Sequence, residues 1–249
     1  IAHHLLLREL LCKEAERWPD WEPTLLATRE PEEKLRRKDH ELEMADAICC
    51  PSQFVLKSLP ARLRKEKVTY VSAFGTPKFS EAKRNKARGA KDSVSFLFVG
   101  SMSQRKGLAD LFEAFRTLSS RQAELFILGA PLMPMRFYRE KADFTHKPPC
   151  PHNEVLSLMQ ACDVLVLPSI AEGRALVQQE AMSQGMPILV TPNTGGEDLV
   201  KEEETGLLVP PSSPEILAEK IEWFVRNKNK LPAMKEAARK HAATYSWRT

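Results

Sequence analysis

The sequence has no apolar run approaching the roughly 18 residues that a membrane-crossing helix needs, so no such helix is predicted. Its opening, IAHHLLLRELLCKEAERW, acquires acids and bases too early to read as a signal peptide. Cysteine is scarce: Cys12, Cys49, Cys50, Cys150 and Cys162 are an odd number with no framework spacing. Reduced thiols in a cytosolic protein are therefore expected. Glycine is also scarce, and the ten present form neither a dinucleotide fingerprint nor a P-loop. After Gly100 the place of the second fingerprint glycine is taken by Met102, and Gly107 follows Lys106 rather than preceding it. No nucleophilic triad can be assembled. With 43% hydrophobic and 28% charged residues the chain is neither collagen-like, nor mucin-like, nor disordered throughout.

What is present is a chain whose two parts differ in character. Leu5, Leu6, Leu10 and Leu11 suggest a first helix, which breaks at RWPDWEP, and a second helix is predicted from Glu32 to Ala47 with Leu35, Leu42 and Ala45 inward. AICCPS reads as a short strand in which Cys49 and Cys50 pack inward. Ser52 caps a brief helix to Leu59, and VTYVSAF over 68–74 reads as one more strand. The polar stretch 78–92 is a linker. Beyond it SFLFVG, ELFILG, DVLVLPS and PILVT are continuously apolar strands, and helices are predicted from Gly107, around Leu176–Gln184, and after Ser213–Pro214. Strands without alternation, each followed by a helix, indicate a parallel sheet covered on both faces. The predicted fold is α/β, with a Rossmann-like domain over 93–249. Residues 1–77 offer too few strands for their helices and read as the mostly helical remnant of a second Rossmann-like domain.

Eleven Lys or Arg stand against three acids between Lys57 and Asp92, and eight against two from Lys220 onward. Such sectors suit anionic partners, a membrane surface or a phosphorylated ligand, or form a solvated basic face without a partner. A nucleic-acid reader is a rival class, but the first sector has few aromatics for stacking and no reader motif, so no nucleic-acid partner is expected.

Three strand-end loops carry the candidate chemistry. In GSMSQRKG, Arg105 and Lys106 lie beyond the carboxyl end of a strand at a helix mouth, where two cations and free N–H groups suit a diphosphate; a solvated basic turn is the alternative. In SIAEGRALVQQEAMSQG, Glu172 follows a buried strand, Gly173 permits close backbone approach, and a helix opens near Arg174 or Ala175 with N–H groups for a phosphate. Glu180 lies eight residues beyond Glu172, so the two carboxylates can reach different ends of one ligand. Read singly, they are a helix-start charge and a surface residue. In TPNTGGEDLV, Gly195 and Gly196 allow a tight turn with bare backbone. HKPPCPH places His146, Cys150 and His152 close in sequence, but three ligands without a fourth are a thin zinc site, and ordinary loop residues are expected.

The RKG turn with its amphipathic helix, EGRALVQQEAMSQGMPILVTPNTGGEDLV and TGLLVPPSSPEILAEKI together resemble the donor-binding half of a retaining GT-B glycosyltransferase of family 4. EMADAICCPSQFV and VTYVSAFG resemble the end of its acceptor-side domain. The resemblance implies transfer of a sugar, with retention, from a UDP- or GDP-sugar to an acceptor hydroxyl, with no cofactor and no active-site metal. It implies that Lys106, helped by Arg105, binds the donor diphosphate. Glu172 faces the transferred sugar and Glu180 holds the ribose, while the backbone at Gly173, Arg174, Ala175, Gly195 and Gly196 contacts phosphate or sugar. Catalysis falls to Glu172 and Lys106. Ser101 stands where the family often has arginine, so either Arg105 supplies the second cation or donor phosphate binding is weaker, and Ala175 stands where glycine is usual, which narrows the sugar space. An epimerase or phosphorylase of the same fold is the alternative chemistry. The implied partners are an acceptor glycan or lipid-linked sugar, as in cell-envelope polysaccharide, at the cytoplasmic face of a membrane. With the first strands of the acceptor-side domain missing, the chain is expected to be a fragment that binds nucleotide but transfers sugar poorly.

Overall fold

A computed structural model of the chain describes residues 2–26, 30–77, 79, 93–119 and 122–245. The linker expected at 78–92 lies, except for Phe79, outside the described residues. In chain order the elements are α1 (His4–Arg17), α2 (Glu22–Leu26), α3 (Glu32–Met44), β1 (Ala47–Cys50), α4 (Gln53–Ser58), α5 (Ala61–Glu66) and β2 (Val68–Val71). There follow β3 (Val94–Val99), α6 (Leu108–Thr117), β4 (Ala123–Leu128), α7 (Met135–Arg139), β5 (Thr145–Lys147), α8 (His152–Ala161), β6 (Val164–Leu167) and α9 (Leu176–Ser183). The last are β7 (Ile188–Val190), β8 (Gly206–Leu208), α10 (Pro214–Arg226) and α11 (Leu231–Ala242). No helix among the described residues is long and apolar enough to cross a membrane.

The second part forms one parallel sheet in the order β5-β4-β3-β6-β7-β8. Counted from β3 as first, this is the doubly wound order third-second-first-fourth-fifth-sixth, whose direction of winding reverses between β3 and β6. Burial explains the unbroken apolar runs: Phe96, Leu97, Phe98 and all of β6 are fully enclosed. Helices α6 and α10 cover the sheet with Leu108, Leu111 and Phe112 and with Leu217, Ile221, Phe224 and Val225. Pro214 opens α10 as expected, but Ser213 does not cap it; its hydroxyl donates to Pro211 O instead.

The first part pairs β1 with β2, also in parallel, giving a two-stranded sheet. Ser52 caps α4 by accepting the Val55 N–H at 3.3 Å. A small core of Ile48, Cys50, Val55, Leu59 and Leu63 forms beneath the strands. Cys49, expected inside, is exposed, because β1 alternates and only Ile48 and Cys50 face inward. Helix α1 is turned differently from its leucine pattern: Leu5 is exposed, whereas Leu11 and Glu14 are buried. The reason is that α1 and α2 pack against the six-stranded domain. Trp21 belongs to that core, with edge-on contacts to Phe112, Phe137 and Tyr138.

Among the described residues, several cations of the two basic sectors are paired with acids. Arg62 reaches Glu43 and Glu66, Lys57 reaches Glu197, and Lys220, Lys230 and Lys235 reach Glu202, Glu203 and Asp163.

Candidate functional site

The loops after β3, β6 and β7 are stitched to one another at the carboxyl edge of the large sheet. The Ile170 N–H donates to Arg105 O at 2.9 Å, and the Arg105 guanidinium donates to Ala171 O at 3.1 Å. From the third loop, Asn193 Nδ2 donates to Ile170 O at 2.7 Å, and Asn193 O accepts the Glu172 N–H at 3.0 Å. Glycine makes the approach of the first two loops feasible. Gly107 has φ +74°, and a Cβ there would stand 2.0 Å from Pro168 O. At Gly100, with φ +147°, the stem of Lys106 lies where a Cβ would be.

This crevice is the switch point between β3 and β6, where open α/β sheets bind ligands. Three charges meet in it. Lys106 Nζ donates to Glu172 Oε1 at 2.7 Å, and Arg105 Nη1 lies 2.9 Å from the same oxygen. All three side chains are mostly buried, with exposures of 14%, 18% and 13% for Lys106, Arg105 and Glu172. Burial alone raises the Glu172 carboxyl pKa, but the Lys106 ammonium and then the Arg105 guanidinium outweigh it, so the group stays below its ordinary value of 4.5 and ionised. The pair carries one net positive charge beyond what Glu172 neutralises, in a place suited to an anion.

The turn carrying Arg105 and Lys106 is held from beneath by the N-terminal helices. Gln104, fully buried, donates through Nε2 to Glu14 Oε2 at 2.6 Å and to Asp110 Oδ2 at 2.7 Å. Its Oε1 accepts the Ala109 N–H, and its own N–H donates to Thr24 Oγ1. Arg17 pairs with Asp110 at 2.7 Å. Burial still lifts the Asp110 carboxyl above its ordinary value against the pull of Arg17 and Gln104. On the far side, the fully buried Tyr138 donates to Met102 O and accepts the N–H groups of Leu132 and Met133, tying the loop after β4 to the loop after β3.

The remaining predicted residues divide. Glu180 lies in α9, on the side of the helix facing α8, where its Oε1 is 3.1 Å from His152 Nε2. His152 opens α8 just beyond the carboxyl end of β5, so Glu180 belongs to the same sheet edge as Lys106. His146 turns instead to Gly129 O, and the HKPPCPH residues do not converge on a common metal point among the described residues. Gly173 offers its carbonyl to the Ser52 hydroxyl at 2.6 Å. The Ala175 N–H is donated to Thr194 O and the Gly195 N–H to Pro192 O, so these two groups, expected to face a ligand, are engaged within the protein. Gly195, at φ +76°, lies under Ser52, and Gly196 lies against Val190.

Arg174 is the residue the sequence reading placed least well. Its side chain is enclosed and points to the first part of the chain: Nη1 donates to Pro51 O at 3.2 Å and to Asp198 Oδ2 at 2.9 Å, while Nε donates to Gln179 Oε1 at 3.0 Å. Gln179 Nε2 donates onward to Phe74 O at 2.5 Å. Together with Ser52–Gly173 and the Lys57–Glu197 pair, these contacts fasten the small unit to the rim of the crevice. Nothing in the local sequence marks Arg174 as such a latch, because Pro51, its partner in the first part of the chain, lies 123 residues away.

The sequence pattern of the family described as Glycosyl transferases group 1 matches residues 79–241. A D-inositol 3-phosphate glycosyltransferase of Corynebacterium urealyticum is 32% identical over 189 residues, covering 70% of this chain and 44% of its own length. An uncharacterized glycosyltransferase of Bacillus subtilis, YqgM, is 25% identical over 206 residues, covering 80% of this chain and 56% of its own. The chain thus spans about half the length of these relatives. Among solved structures, sucrose-phosphate synthase from Thermosynechococcus elongatus superposes with a TM-score of 0.74 at 25% identity, over 89% of this chain and 59% of that one. Anabaena HepE in complex with UDP-glucose superposes with a TM-score of 0.69 at 19% identity, over 86% and 64%. The fold is accordingly the GT-B arrangement of Rossmann-like α/β units with parallel sheets.

Proposed function

The chain belongs to the group 1 glycosyl transferases, and on that footing we propose that it binds a nucleotide-diphosphate sugar and serves the transfer of the sugar, with retention, to an acceptor hydroxyl. The observation that carries this reading is the convergence of Lys106 and Arg105, from the loop after β3, on Glu172, from the loop after β6, at the switch point of the sheet. The chain divides at 78–92 into an acceptor-side part, 1–77, and a donor-binding part, 93–249. The donor is a UDP- or GDP-sugar, and the acceptor is a glycan or lipid-linked sugar approached from a membrane face.

Before the donor arrives, Glu172 holds the two cations in place in a largely enclosed crevice. The diphosphate then takes over their charge. As the bond from the sugar to the diphosphate breaks, negative charge grows on the leaving oxygen, and Lys106 and Arg105, fixed beforehand, stabilise it without reorganisation. Released from part of its ion pairing, Glu172 faces the sugar and accepts its hydroxyl hydrogens. Glu180 accepts the ribose hydroxyls, for which His152 must give way. In this scheme the leaving-group charge is met by side-chain cations and the opening of α9, with no step assigned to a metal.

Calorimetric titration with UDP, GDP and ADP tests the reading. One nucleotide is expected to bind clearly better than the other two, and Lys106→Ala is expected to weaken it by at least about tenfold, the worth of a charge-assisted contact of about 1.4 kcal/mol. Glu180→Ala is expected to weaken it less. Equal affinities for wild type and Lys106→Ala would remove the crevice as the donor site.

A further inference from the structure

We propose that His3, His4 and Asp39 form a binding site for a divalent transition-metal ion, for which zinc is the representative, away from the crevice described above. One ligand atom from each of the three residues lies within 4.8 Å of the others. His4 Nε2 is 2.7 Å and His3 Nε2 is 3.2 Å from Asp39 Oδ1. With bonds of about 2.0 Å, ligand atoms around a tetrahedral zinc stand about 3.3 Å apart. The His3–Asp39 edge, at 3.2 Å, is close to that length, and the His4–Asp39 edge, at 2.7 Å, needs to open by about 0.6 Å. Two imidazoles and one carboxylate leave a fourth position for water, the pattern of an open zinc site.

The elements that bring these residues together are fixed independently of any ion. His3 precedes α1 and its N–H donates to Ser58 Oγ at 2.8 Å, which anchors the start of α1 on α4. Asp39 sits on α3. The two imidazole rings stack with centroids 4.4 Å apart, so their Nε2 atoms address one oxygen from neighbouring positions. Access differs among the three. His3 is nearly enclosed, its side chain 4% exposed, whereas Asp39 is 44% exposed, and His4 lines a cavity of about 360 Å³ shared with Leu7, Leu11 and Leu35. An ion can enter from the Asp39 side.

Binding moves protons in a defined way. In the metal-free cluster His4 Nε2 is hydrogen-bonded to Asp39 Oδ1 at 2.7 Å, and His3 Nε2 lies 3.2 Å from the same oxygen. When the ion takes both Nε2 lone pairs, each neutral ring carries its proton on Nδ1. For His3 this displaces the Leu5 N–H, which now donates to Nδ1 over a long 3.4 Å. The ion therefore exchanges one weak helix cap for a direct tie between α1 and α3. At its other end α1 carries Glu14 and Arg17, which hold the six-stranded domain.

The test is calorimetric titration of the full chain with zinc chloride, with cobalt(II) absorption as a geometric readout and thermal melting as a stability readout. One zinc per chain is expected, with the intense visible bands of tetrahedral cobalt(II) and a zinc-dependent rise in Tm. Asp39→Asn and His4→Gln, which keep size and polarity, are each expected to weaken zinc by at least tenfold and to abolish the Tm rise. Absence of zinc binding to the wild type would overturn the proposal. So would undiminished binding in both variants, or binding lost in His152→Ala and retained in Asp39→Asn, which would move the ion to the HKPPCPH loop.

Discussion

In the six-stranded sheet β3 buries every residue from Val94 to Phe98, whereas in the two-stranded sheet β1 buries only alternate residues and β2 buries none. Both sheets are parallel. They differ in cover. Helices lie over the large sheet from both sides, while Val68 and Tyr70 of β2 stay 67% and 52% exposed. A parallel sheet is stable when both faces are covered, and two strands with five enclosed side chains fall far short of that. The small unit instead holds its place through polar contacts to the large one, at Pro51, Ser52, Phe74 and Thr76. The large domain is rigid because it is packed, and the small unit is ordered because it is fastened.

The largest expected effect tests which side of that division the N-terminal helices belong to. Trp21→Ala should destabilise the large domain by about 3–5 kcal/mol in denaturant unfolding, the usual cost of deleting an enclosed aromatic ring. A loss below about 1 kcal/mol would return α1 and α2 to the small unit. Next is the fastening itself. Arg174→Ala strands Asp198 and frees Pro51, and should cost about 2 kcal/mol, below the usual figure for a buried pair because Asp198 remains 29% exposed. Its distinguishing mark is faster limited proteolysis within 30–77 while 93–245 stays protected. Val55→Ala should cost about 1–2 kcal/mol from the methyl groups it removes, and hydrogen exchange should register it in β1 and β2 but not in β3 or β6. Equal acceleration in both sheets would mean that they unfold as one.

The smallest effect concerns the crevice. Glu172 has a folded pKa below its ordinary 4.5, so its ionised form adds stability that is fully present above 4.5 and is lost as pH falls through the folded value. The Tm difference between wild type and Glu172→Gln should therefore be largest near neutrality and shrink in acid below pH 4.5. A difference independent of pH would mean that the ion pairs with Lys106 and Arg105 contribute nothing to the fold.

Much of the large domain could be read directly. Phe96–Phe98 and Val164–Leu167 announce enclosed strands because they do not alternate, and Pro214 marks the start of α10. Arg105, Lys106 and Glu172 could be placed on one rim because each follows an apolar strand. The three-residue strands β5 and β8 gave no such signal. Thr145–Lys147 contains no apolar residue, and Gly206–Leu208 is too short to show a period, so each is a strand only because a neighbour pairs with it. The glycines of the crevice were legible only as turn formers. That Gly107 must clear Pro168 O, and Gly100 the stem of Lys106, depends on loops from different strands.

The sequence by itself determined which of the longer strands are enclosed, that strands alternate with helices in the large domain, and which charged residues stand at strand ends, because hydrophobic period and turn chemistry are local properties. Tertiary structure alone decided that Trp21 and Glu14 serve the large domain, that Arg174 reaches back to Pro51, and that Gln104 supports the turn bearing Lys106. Each of these joins residues 80 to 123 positions apart, and a contact over such a distance is chosen by the packing of whole elements, which no local pattern records.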